Sequence, residues 1–131
     1  MRKTEQEIQS QYEALAHTKT AVDQHADAIQ RVFRGQGHIV FLGAGSSFSV
    51  SCSAAMMAQL RLGRPALALP AGDLLLHLPT YKPVLEDCCL VVLSRSGETT
   101  ECIRAIEAMR NANISFSLLG ISCVTDRKSV V

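Results

Sequence analysis

Apolar residues at Ile8, Tyr12, Leu15, Val22, Ile29 and Phe33 recur near helical spacing. They predict one long amphipathic helix over residues 4–33, stopped by Gly35 and Gly37. The period then changes. His38-Ile39-Val40-Phe41-Leu42 is a continuous apolar run next to glycines, the pattern of a buried parallel strand. A turn at Gly43–Ser47 leads into a helix from Ser47 to Leu62, ended by Gly63. Pro65–Leu69 predicts a second strand, with proline allowed at its first position. A short helix over Asp73–Leu78 is expected to start near Gly72-Asp73 and to stop at Pro79. Cys89–Leu93 is the clearest strand, and Ser94–Gly97 is its exit loop. Thr99–Asn111 predicts a helix with Cys102, Ile103, Ile106 and Met109 on one face, and Ser115–Cys123 a fourth strand. Strands alternating with helices specify an α/β fold, a parallel sheet between helical layers with right-handed crossovers.

Composition narrows this picture. Of 131 residues, 47% are hydrophobic and only 5% aromatic, with no Trp, so the core must be aliphatic. Thirteen basic residues against twelve acidic ones give a net charge of +1. That balance argues against a nucleic-acid partner, which a basic excess would serve. No apolar run reaches membrane-spanning length, and the Met1–Glu7 start lacks the apolar stretch of a signal peptide. The five cysteines, Cys52, Cys88, Cys89, Cys102 and Cys123, form no Cys-x-x-Cys and have no histidine at ligand spacing. We expect all five to be buried, reduced thiols in a reducing compartment, the cytoplasm, with no metal site. His17, His25, His38 and His77 are scattered and read as surface or strand-edge residues.

Two loops carry the candidate chemistry. Gly43–Ser47 and Ser94–Thr99 both leave the carboxyl ends of strands and open onto helix N-termini. In open α/β sheets ligands bind outside those ends, and free N–H groups with the helix dipole favour an anion there. The glycines Gly43, Gly45 and Gly97 let backbone approach closely, and Ser46, Ser47, Ser94, Ser96 and Thr99 add hydroxyl donors. Together they suit a phosphate monoester. The same residue types also serve as ordinary turn and cap residues. A dinucleotide fingerprint fails because Phe48 stands where a third small residue is needed, and no acidic residue follows at the required distance. A nucleotide-binding Gly-Lys-Ser/Thr is absent, and Ser49 breaks a serine-hydrolase elbow around Ser47. Glu98 and Glu101 read as charge compensation at a helix start.

The segments Phe41-Leu42-Gly43-Ala44-Gly45-Ser46-Ser47 and Leu93-Ser94-Arg95-Ser96-Gly97-Glu98-Thr99-Thr100-Glu101 resemble the sugar isomerase (SIS) domain family. Glu7–Leu15 also resembles the opening of the isomerase half of glutamine–fructose-6-phosphate aminotransferase and of tagatose-6-phosphate ketose/aldose isomerase-like proteins, with Gln11-Tyr12 where relatives have Gln-Pro. The resemblance covers residue 5 to about 124. It implies a three-layer α/β/α, flavodoxin-like fold with five strands, of which the last, with its helices, is missing here. It implies an N-terminal helix over residues 1–35 and an incomplete phosphosugar-binding domain over 36–125. It implies sugar-phosphate binding by Gly45, Ser46, Ser47, Ser94, Arg95, Ser96, Gly97 and Thr99, with a hexose or hexosamine 6-phosphate as ligand. No cofactor and no catalytic residue are implied, since the family's acid and base groups come largely from a second domain. The expected partner is another copy, forming a homodimer, or that second domain. A ketose/aldose isomerase or amino-sugar-phosphate deaminase is the leading reading. The sensing half of a transcription regulator is the alternative, as is a non-catalytic SIS protein.

The last six residues, Asp126–Val131, match one translated frame of a sequencing adapter through its stop codon. They are expected to be a non-native tail on the truncated front of a longer protein. Loss of the strand beside Ser115–Cys123 is then expected to expose a sheet edge.

Overall fold

The computed structural model describes residues 2–35 and 37–124, so Asp126–Val131 lie outside the described residues. The chain divides after Arg31 into two compact units. The first holds α1 (Lys3–Gln9), α2 (Gln11–Gln24) and most of α3 (Ala26–Val32). The expected single helix is thus three. Ser10 interrupts it with its hydroxyl on the Glu7 carbonyl, a local bond that competes with the helix ladder. His25 interrupts it again, its ring Nδ1 lying 2.8 Å from the Ala21 carbonyl. The apolar stripe is not buried either: Ile8, Tyr12, Leu15 and Val22 are 50% to 85% exposed.

The second unit is an α/β sandwich. Its elements are β1 (Ile39–Gly43), α4 (Ser46–Leu62), β2 (Ala66–Pro70), α5 (Ala71–Leu76), α6 (Leu78–Leu85), β3 (Cys88–Leu93), α7 (Thr100–Asn111) and β4 (Phe116–Ile121). The sheet is parallel throughout, in the order β2-β1-β3-β4. All four strands fall within two residues of the apolar runs that predict them. One expectation failed between β2 and β3. The structure has a helix, α6, where Pro79 was read as a stop. Pro79 sits in the first turn, where its missing N–H has no intrahelical partner to lose. Pro83 follows four residues later, so the carbonyl it leaves unpaired is also in that first turn. Nor does α5 start at Gly72-Asp73; its cap position is Pro70.

The alternation of side chains along each strand builds two cores. On one face Val40, Leu42, Leu69, Leu90 and Val92 pack under Leu74, Leu85, Cys102, Ala105, Ile106 and Met109 of α5, α6 and α7. On the other, Ile39, Phe41, Ala66, Cys89 and Val91 pack under Ala55 and Ala58 of α4. Both are aliphatic, with Phe41 the one aromatic ring among the buried residues described. Cys88, Cys89 and Cys102 are buried as expected, but Cys52 and Cys123 are exposed. Cys52 lies on the flank of α4 away from the sheet and Cys123 past the end of β4, where no layer covers them.

Arg64, between α4 and β2, pins the segment that enters β1. Its guanidinium donates to the carbonyls of Phe33, Gly35 and Gly37 at 2.6, 2.7 and 2.9 Å. The Cys89 thiol and the Ser117 hydroxyl both donate to the Val32 carbonyl at 2.9 Å.

Candidate functional site

The crossovers reverse direction between β1 and β3. From β1 the chain moves to β2 through α4 on one face; from β3 it moves to β4 through α7 on the other. The carboxyl ends of these two neighbouring strands therefore border a crevice, the place where open sheets of this kind take ligands. Leu42 pairs with Val92, so the loops that follow leave the sheet one strand spacing apart, about 4.8 Å.

The first loop is built by close approach. A Cβ on Gly43 would lie 2.7 Å from the Ser47 carbonyl carbon and 2.8 Å from the Phe48 nitrogen, so only glycine fits. Gly45 then takes φ +56, which starts α4. The turn closes through Ser47 N–H to the Ala44 carbonyl at 3.2 Å and Phe48 N–H to the Gly45 carbonyl at 3.1 Å. No side chain caps α4. Its leading N–H groups, Ser46 foremost, face the crevice end of the helix. Ser51, fully buried one turn on, donates to the Ser47 carbonyl at 2.9 Å.

The second loop is braced by its own hydroxyls. Ser94 is buried, with its Oγ 2.7 Å from Thr99 Oγ1 and accepting from Gly97 N–H at 3.0 Å. Gly97 turns with φ +70. Ser96 Oγ accepts from Glu98 N–H at 3.1 Å. The loop is tied to β4 and the segment after it by Ser94 N–H to the Ile121 carbonyl at 3.0 Å and Cys123 N–H to the Arg95 carbonyl at 3.2 Å. Thr99 is the cap residue of α7 without a capping side-chain bond, so its hydroxyl stays on the crevice side with Ser94. Arg95 and Ser96 are exposed at the rim.

Of the eight residues singled out from sequence, Ser94, Gly97 and Thr99 are brought into one hydrogen-bonded group. Gly45, Ser46 and Ser47 stand at the start of α4 on the neighbouring strand's exit, and Arg95 and Ser96 at the rim. Sequence reading missed a third polar group at the exit of β2. Asp73 accepts a hydrogen bond from the Tyr81 phenol and lies 3.9 Å from His77 Nε2. The bond to Asp73 leads the causes that raise the Tyr81 pKa, ahead of burial and the carboxylate's charge. The four-residue spacing of Asp73, His77 and Tyr81 was the signal, hidden by the expected stop at Pro79. Among the described residues no group of His, Cys, Asp and Glu could hold a metal ion, and no helix is long and apolar enough to cross a membrane.

Solved structures share this architecture. The tagatose-6-phosphate ketose/aldose isomerase from Escherichia coli superposes with a TM-score of 0.81 at 25% identity, covering 97% of this chain and 36% of that one. The fold is SIS-type. An E. coli CFT073 protein in complex with a phosphosugar matches this SIS-type chain with a TM-score of 0.67 at 19% identity, over 99% of this chain and 70% of its own. The C-terminal domain of glucosamine-fructose-6-phosphate aminotransferase from Francisella tularensis matches at 0.58 and 16% identity, over 79% of this chain and 28% of its own. These last two bear on the fold alone. The chain thus spans about a third of the length of the isomerase it matches. No protein-family model and no curated protein sequence matches it.

Proposed function

We propose that this SIS-type chain holds the phosphate of a hexose or hexosamine 6-phosphate between its two loops. It would be the phosphate-anchoring part of a ketose/aldose isomerase or amino-sugar-phosphate deaminase. The observation that carries the reading is the Ser94–Thr99–Gly97 group at the switch-point crevice, beside the uncapped start of α4. Ser46 and Gly45 offer backbone N–H groups, and Ser47, Ser94, Ser96 and Thr99 offer hydroxyls. Gly97 permits the turn, and Arg95 brings the positive charge that a phosphate dianion needs. Holding the phosphate fixes one end of the sugar, so the carbons that exchange a proton are presented in one geometry. This reading assigns no cofactor and no catalytic acid or base. Binding is assigned to residues 36–125, and the protein is placed in the cytoplasm. A second SIS-type domain, in another copy or elsewhere in a longer chain, is the expected partner.

The supporting likenesses are the isomerase and the phosphosugar complex. The test is titration calorimetry of the full chain with fructose 6-phosphate, glucosamine 6-phosphate, inorganic phosphate and unphosphorylated fructose. The esters should bind, inorganic phosphate should compete, and fructose should give no heat. Arg95→Ala and Thr99→Ala should each weaken binding about tenfold, the effect of losing one charged or hydroxyl contact. Equal binding of fructose and its phosphate would overturn the reading.

A further inference from the structure

Helix α4 has the surface of an interface, not of a solvent layer. Its inner face, Ser51, Ala55 and Ala58, packs on the sheet. The opposite face of a lone surface helix should be charged. Over its 17 residues α4 has a single charged side chain, Arg61. Val50, Met56, Met57, Leu60 and Leu62 are instead 50% to 74% exposed. By helical spacing Ser49, Ser53, Met56, Met57 and Leu60 share the face turned away from the sheet. α7, which covers the same sheet from the other side, turns Glu101, Arg104, Glu107 and Arg110 outward.

The area argues for one kind of occupant. The five apolar side chains expose on the order of 500 Å², the upper end of what a monomer carries in one patch. That is most of the roughly 800 Å² that each partner contributes to a standard interface. The surface continues from Met56 over the edge strand β2, where a cavity of about 370 Å³ is lined by Cys52, Ala55, Met56, Gln59 and Ala66–Ala68. An apolar face centred on one helix, nearly free of charge, is self-complementary, as a two-fold pairing demands. Ser49 and Ser53 leave room between the larger side chains for those of a second α4.

We propose that two copies of this chain pair about a two-fold axis through the outer face of α4. The pairing names the partner left open in the proposed function but does not need the phosphosugar to bind. Because α4 begins at Ser46 and Ser47, it would fix the helix that presents half of the cradle.

Sedimentation velocity of the full chain should show a dimer at tens of micromolar. Leu60→Glu and Met57→Glu should each shift it to monomer, with circular dichroism unchanged because both positions are solvent-facing. Leu76→Glu, at a residue 77% exposed on another helix, should leave the dimer intact. In a background with Cys52 and Cys123 replaced by serine, Ser53→Cys should form a chain-to-chain disulfide on mild oxidation, and Glu107→Cys on α7 should not. A wild-type monomer throughout the concentration range, or a dimer that survives both glutamates, would overturn the pairing. Neither outcome touches the calorimetric test of phosphate binding, so the two readings fail separately.

Discussion

The units β1–α4 and β3–α7 occupy equivalent places on either side of the switch point, yet they are built by different means. Both pass through a glycine at positive φ into a helix without a side-chain cap. The first keeps its loop in shape by backbone packed against backbone at Gly43. The second uses side chains, with Ser94, Thr99 and Ser96 bonded inside their own loop. The difference extends to the helices, one apolar on its outer face and the other charged. Equal topology therefore leaves two free choices: how a loop is held, and what its helix shows to solvent.

The comparison can be broken most severely at Gly43. Gly43→Val puts atoms within 3 Å of the Ser47–Phe48 peptide, and the backbone has to move. We expect a loss of about 3 kcal/mol, the upper range of overpacking, read as a lower urea midpoint, together with loss of phosphate binding. Ser94→Ala removes a buried hydroxyl that serves two partners and should cost about 1–3 kcal/mol. In the first loop Ser46→Ala, at an exposed position, should change stability by less than about 0.5 kcal/mol. Equal costs at Ser94 and Ser46 would show that the second loop is not braced by its side chains.

Alkaline pH probes the helix side of the comparison. Burial pushes the Cys102 thiol of α7 up to about 11, with Glu101 adding to it, and burial pushes Cys88 of β3 up to about 12. A thiol whose folded pKa is raised stabilises the fold below its unfolded value and loses that contribution as pH climbs to the folded one. Stability should thus fall from about pH 9 upward, and Cys102→Ala should flatten part of the slope between 9 and 11. The urea midpoint as a function of pH is the measurement. The smallest effect concerns reactivity. Cys52, on α4, and Cys123 should react with a thiol reagent in the folded protein, while Cys88, Cys89 and Cys102 should wait for denaturant.

How much of this was legible varied by element. The strands were, because a fully buried parallel strand is a continuous apolar run and nothing else in this chain looks like one. Helix α7 was legible because its period separates Cys102, Ala105, Ile106 and Met109 from its charges. Helix α6 was not, since Pro79 and Pro83 read as breakers until their place in the first turn is known. The breaks at Ser10 and His25 were hidden because their local bonds compete only weakly with a helix that the flanking residues favour. In the site, the hydroxyls and glycines were legible as types at spacings, but not their division of labour.

The local pattern determined which segments are strands and helices, that the core is aliphatic, and that two Ser/Gly loops face the same end of the sheet. These follow from periodicity and from the steric freedom of glycine, which act within a few residues. Only the tertiary structure decided that Arg64 holds the entry to β1 and that Asp73 meets Tyr81. It also decided that Ser94 is a brace as well as a donor, that Cys52 and Cys123 are exposed, and that the apolar outer face of α4 is uncovered. Each depends on what lies across the fold from a residue, and hydrogen bonding and burial between distant segments are set by strand order and helix placement, not by the neighbours along the chain.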